Sequence, residues 1–185
     1  IKGLISVESE YDDKEKILNM EIIGSLSDLS LLFDDGFKNI FLAIGDNKLR
    51  EKLFNQYLKC GFLFPTLVHP ESSIDSSAVI GIGNIIGPRA VIGANVNIGN
   101  NNIINSSSVI EHESVINNNS HIAPGSVICG RVKIGNQVLV GANSTLIENI
   151  IIADNTIIGA GSTVVKSIEH KNGTFVGSPA KIIKL

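Results

Sequence analysis

One histidine of the four in the chain sits where protons can be moved: Ile110-Glu111-His112-Glu113-Ser114 places an imidazole between two carboxylates. A neighbouring carboxylate favours the imidazolium that forms when the ring takes a proton, which suits His112 to general-base work. The competing reading is a solvated surface histidine. His121 follows nine residues on, and His69 and His170 lie far from both in sequence. A zinc site needs three or four converging ligands, and neither these histidines nor the widely separated Cys60 and Cys129 have that spacing. The expectation is chemistry without a metal.

What must position His112 is a repeat. From Ile74 to Val164 every sixth residue is Ile, Val or Leu, sixteen positions without a break. The residue four places on is mostly small or β-branched, and the one directly after the aliphatic position is often glycine (Gly81, Gly87, Gly93, Gly99, Gly135, Gly141, Gly159). A period of six matches neither a helix nor plain strand alternation, but it matches a short strand followed by a tight corner. Three such units bring the chain back to its starting face, so the repeat predicts a parallel β-helix of triangular, 18-residue coils stacked at ~4.8 Å. Aliphatic residues fill the prism, and Gly or Asn take the corners that need positive φ.

Stacking turns spacing into neighbourhood. His112, third in its hexad, faces outward near a corner, and Gly130 lies one coil above it. A corner without a side chain leaves room for a substrate and exposes an N–H that can hold a developing oxyanion. His121 is half a coil away from His112, so the two rings share a site only across a subunit boundary.

Residues 1–68 have another pattern. Ile1 to Val7 alternates as a strand, Ser27 is placed to cap a short amphipathic run ending at Phe33, and Lys38 to Ile44 reads as a buried strand ending at Gly45. Leu49, Leu53, Phe54, Tyr57 and Leu58 have helical spacing, closed by Gly61 before a strand from Leu63 to Val68. Alternating strands and helices predict a small parallel sheet, with Gly45, Asp46 and Asn47 at a strand's carboxyl end as candidate substrate contacts. The net charge of -3, from 15 basic and 18 acidic residues, offers no field for nucleic acid, and no apolar run approaches the ~20 residues of a membrane span. With two dispersed cysteines and no recognisable leader, the expected location is the cytoplasm.

The order of Ala43-Ile44-Gly45-Asp46-Asn47, Leu67-Val68-His69-Pro70, Ser108 to Glu113, His121-Ile122-Ala123-Pro124-Gly125 and Val176-Gly177-Ser178-Pro179-Ala180-Lys181 resembles the sugar acetyltransferases typified by NeuD and PglD, of the hexapeptide-repeat acyltransferase superfamily. The resemblance spans nearly the whole chain. It implies a left-handed β-helix over 69–185 and a partial Rossmann-like nucleotide-sugar domain over 1–68, in which the family's usual first strand and Gly-rich loop are missing. It further implies a homotrimer, with acetyl-CoA between neighbouring prisms. By the same motif carry-over, His112 is the base, Glu113 raises its basicity, and His121 and the Gly130 N–H donate to the acetyl carbonyl. Ala142 and Ala160 then match backbone contacts to the pantetheine arm. The implied activity is N-acetylation of a nucleotide-linked amino-deoxysugar in bacterial surface-glycan biosynthesis, with O-acetylation of a sialic-acid-like sugar or a non-catalytic scaffold as alternatives. Paired acidic residues follow the family's first matching strand, whereas here Ser6, Val7, Glu8 and Ser9 stand there.

Overall fold

A computed structural model describes residues 1–7, 16–17 and 19–184. Glu8 and Ser9 lie outside the described residues. By contacts the chain divides into one unit of residues Ile1–Ile40 with Gly61–Leu63, and a second of Phe41–Cys60 with Phe64–Leu185.

In the first unit, β1 (Leu4–Ser6) pairs parallel with β3 (Met20–Ser25), and β2 (Lys16–Ile17) joins β3 antiparallel. A 3-10 turn over Leu26–Asp28 leads into α1 (Leu29–Asp34). The residue that starts it is Ser25 rather than Ser27: Asp28 Oδ2 accepts from the Ser25 N–H at 2.8 Å and from its hydroxyl at 3.0 Å. Phe33 packs edge-on against Phe62, with ring centroids 4.8 Å apart.

The expected strand from Lys38 to Ile44 does not form. A single parallel bridge joins Asn39 to Leu63, and residues 41–44 lie in irregular, partly exposed chain. Lacking a neighbour of matching length, that apolar run has no ladder to join, and its Ile44 carbonyl is taken by Arg50 instead.

The second unit holds α2 (Asn47–Lys59) and the β-helix. Asp46 caps α2 by accepting the Leu49 N–H at 2.7 Å, and Leu53, Phe54 and Tyr57 form its buried face. The helix closes through Cys60 into Gly61, whose φ of 92° is the left-handed value that favours glycine there.

All sixteen aliphatic positions lie in two-residue strands, and the period begins one rung earlier, at β4 (Leu67–Val68). Strands pair in parallel with partners 18 residues away, as His121 with Ile103 below and Leu139 above. Three sheets result, running from Leu67, from Ser73 and from Val79, called here the first, second and third faces. Inside, Ile104, Ile110, Ile116, Ile122 and Ile128 are wholly buried and stack coil on coil. The strand Thr174–Val176 extends the first face and pairs antiparallel with Lys181–Lys184.

Glycine has a different task from the one its spacing suggests. The left-handed corner residue is three places after the aliphatic one, at fourteen successive positions from Gly83 to Gly161, of which three are glycine and six asparagine. Asn supports this conformation through its short polar side chain, and Arg89, Ser107, Glu113, Arg131 and Gln137 accept it too. The glycines directly after the aliphatic residues are needed for close coil approach: a Cβ on Gly141 would lie 2.5 Å from the Ala160 nitrogen.

One corner is closed by side chains. Between the third and first faces, the Ile82 N–H donates to Asn100 Oδ1, that of Asn100 to Asn118, that of Asn118 to Asn136, and that of Asn136 to Asp154, at 2.8 to 3.1 Å. Lys171 then pairs with Asp154 at 2.8 Å. Aligned bonds of this kind strengthen one another. Asn118→Ala is expected to lower unfolding free energy by about 1 to 3 kcal/mol, because it strips an acceptor from a partly buried N–H. Denaturant titration measures it, and an unchanged midpoint would show that water serves the corner equally well.

Candidate active site

His112 stands on the corner between the second and third faces, exposed, with its carbonyl accepting the Arg131 N–H at 2.9 Å. A Cβ built on Gly130 would lie 2.7 Å from His112 Nε2, so any side chain there displaces the ring. Unlike the corner sealed by asparagines, this one leaves the Gly130 N–H without a hydrogen-bond partner among the described residues. An exposed proton acceptor and an uncommitted donor therefore sit one coil apart.

Glu113 occupies the left-handed corner position with φ 60°, and its carboxylate pairs with Arg131 Nε at 2.5 Å, both side chains being exposed. No hydrogen bond joins it to His112 among the described residues. Ala142 and Ala160 stack on the corner between the first and second faces, where their N–H groups likewise have no partner among the described residues. The sequence reading thus places Gly130 and this alanine pair on two different edges, and the fold does so.

His121 lies on the first face, half a coil from His112, so one prism does not bring the two rings together. The structure brings His121 instead to the start of α2. Asn105 Nδ2 approaches its Nε2 at 3.1 Å. Burial, with the Arg50 charge second, lowers its pKa to about 4, against the pull of the Gly45 carbonyl toward protonation. Unfolded, the ring takes a proton near pH 6.5. The stability tied to its neutral state is therefore present above about pH 6.5 and is lost as pH falls toward 4.

Of the three residues placed at the strand end by sequence, Asp46 and Gly45 are exposed, while the Asn47 amide is engaged on both sides. Its Oδ1 accepts from Arg50 Nη2 at 2.8 Å and its Nδ2 donates to the Val138 carbonyl at 3.3 Å. Arg50 itself escaped the sequence reading. The signal for it was faint: a charged residue on the same helical face as Leu53, Phe54 and Tyr57. It is 1% exposed. Among the described residues, no group of three or more His, Cys, Asp and Glu side chains is placed to hold a metal ion, and no helix is long and apolar enough to cross a membrane.

Residues 131–166 match the bacterial transferase hexapeptide model of six repeats. The chain is similar in structure to a His-to-Asn variant of perosamine N-acetyltransferase from Caulobacter crescentus, solved with CoA and GDP-perosamine. The two agree with a TM-score of 0.90 at 30% identity, over 92% of this chain and 81% of that one. The chain belongs to the sugar acetyltransferases of the hexapeptide-repeat, left-handed β-helix family. Membership in this family makes it an acetyltransferase, and gives its prism the left hand. A second similar structure is the acetyltransferase domain of PglB from Neisseria gonorrhoeae with acetyl coenzyme A, at TM-score 0.85 and 26% identity over 93% and 84% of the two chains. WeeI from Acinetobacter baumannii, at 24% identity and TM-score 0.74 over 98% and 85%, shares the fold. Among curated proteins none matches by sequence.

Proposed function

We propose that the protein transfers the acetyl group of acetyl-CoA to the amino group of a nucleotide-linked amino-deoxysugar, with His112 as general base. The observation that carries this reading is the open corner at which His112 Nε2 lies beneath Gly130. It is supported by the CoA, acetyl-CoA and GDP-perosamine held by the similar structures.

His112 Nε2 removes a proton as the sugar nitrogen bonds to the thioester carbonyl carbon. The Gly130 N–H, with His121 of a neighbouring subunit, holds the oxygen of the tetrahedral intermediate, a preorganised donor being most effective where charge develops. The C–S bond then breaks, and the His112 imidazolium returns its proton to the CoA thiolate. Glu113 raises the basicity of His112 through space, its charge being shared with Arg131.

Residues 1–68 serve as the nucleotide-sugar domain and 69–185 as the acetyltransferase domain. Gly45, Asp46 and Asn47 form the sugar side of the site, where the exposed Asp46 carboxylate can accept a hydrogen bond from the sugar. The Ala142 and Ala160 N–H groups take the pantetheine arm. A homotrimer supplies the geometry that one prism lacks, because His121 of one subunit can face His112 of the next, and closed symmetry repeats the site three times. The reaction is placed in the cytoplasm, in the building of surface polysaccharide.

The test is thiol release from acetyl-CoA across a panel of nucleotide-linked amino sugars and free sialic acids. Release with an amino sugar, and an amide in the product, is the expected result. Release with sialic acids alone would replace N- by O-acetylation.

A further inference from the structure

Arg50 is a buried cation whose described hydrogen-bond partners include no carboxylate. Its guanidinium donates through Nη1 to the carbonyls of Ile44 at 2.9 Å and Gly45 at 3.3 Å. Through Nη2 it donates to Asn47 Oδ1 at 2.8 Å and to the carbonyls of Asn119 at 3.1 Å and Ser120 at 3.2 Å. Nε reaches the Asn101 carbonyl at 3.1 Å. Taking a guanidinium out of water is costly, and six neutral acceptors satisfy its donors without neutralising its charge. Such an arrangement is a poor way merely to fasten a helix.

Two of the acceptors lead into His121, since the Asn119 and Ser120 carbonyls belong to the residues immediately before it. Arg50 thus grips the backbone on which His121 is carried and ties it to Gly45 at the start of α2.

We propose that Arg50 is a positioning residue for acetyl transfer: by clamping the Gly45 and Ser120 carbonyls together, it holds the backbone that carries His121 against the start of α2. The inference rests on the reading of His121 as part of the acetyl site. The charge of Arg50 acts in the same sense, since it opposes a second positive charge on His121, whose pKa is lowered. The charge that bears on His121 is that of Arg50 on α2, itself beside Asp46, and the adjacent strands contribute Ile103 and Leu139, which do not titrate. Burial lowers the Arg50 pKa to about 10, so it remains a cation at neutral pH.

The first measurement needs no substitution. In full-length protein labelled on histidine, the His121 ring nitrogens are expected to report one neutral tautomer from pH 8 to pH 5, and a midpoint at the ordinary value near 6.5 would overturn the proposal. Arg50→Met is then expected to raise that midpoint toward 6.5 and to lower kcat about 10- to 100-fold, with KM for acetyl-CoA less affected. Arg50→Lys keeps the charge but not the fork, so it should hold the midpoint low and recover part of kcat. A folded Arg50→Met protein with lowered melting temperature but unmoved midpoint and kcat would assign Arg50 a structural role and sink the idea. If Arg50→Met fails to fold, Arg50→Lys decides alone, and full wild-type kcat in that variant would overturn the clamp. If the wild type acetylates no amino sugar, the functional reading falls, while the midpoints still judge the clamp.

Discussion

His112→Ala is expected to lower the turnover of acetyl transfer by about 10²- to 10⁴-fold while leaving the melting temperature nearly unchanged, the loss that removal of a general base usually brings. The ring is exposed and adds nothing to the stacked interior, and its structural bond to Arg131 is made by the backbone carbonyl, which alanine keeps. Glu113→Gln should cost less than His112→Ala, because that carboxylate is paired with Arg131 and acts on the ring only through space. Steady-state rates and thermal melts of the two variants settle the order. A His112→Ala enzyme with near-normal turnover would remove the base from the mechanism.

The second large effect separates the inside of the prism from its edge. Ile128 is 0% exposed. It stacks between Ile110 and Leu146 on the same face. Ile128→Ala should cost ~2 to 5 kcal/mol, since each coil touches only its neighbours and a void between them cannot be closed from elsewhere. Ala160→Phe adds far more volume, yet Ala160 is exposed at an open corner, so the melting temperature should hardly move. Acetyl-CoA affinity is expected to fall instead, because a phenyl ring on this edge keeps a pantetheine arm away from the Ala142 and Ala160 N–H groups. Calorimetric titration of acetyl-CoA reads this directly. Unchanged affinity in Ala160→Phe would mean that the arm follows another edge.

The β-helix was legible because its period belongs to the chain itself: an aliphatic residue every six positions has no other way to be buried. His112 was legible for the opposite reason, as a departure from that period. The task of the glycines was misread, since a Gly next to a corner and a Gly in the corner look alike in sequence. Only the coil above, with the Ala160 nitrogen 2.5 Å from a Cβ on Gly141, tells them apart. The run from Lys38 to Ile44 misled in another way, having the composition of a strand and no partner to pair with. Arg50 was hidden more deeply, because its acceptors Asn101, Asn119 and Ser120 lie 51 to 70 residues away and are backbone carbonyls, which leave no trace in residue type.

The 18-residue pairing register also sets which insertions and deletions this protein can survive as an enzyme. Gain of a whole coil above Ala160 lengthens the prism by ~4.8 Å and leaves every lower edge where it was. Six residues added between His112 and Pro124 keep the aliphatic period and the buried core, yet rotate everything that follows by one face. Pro124, which has no N–H, would then stand above His112 in place of Gly130. Lineages can therefore lengthen the prism in steps of three hexads without touching the chemistry, whereas a single hexad gives a folded and silent protein.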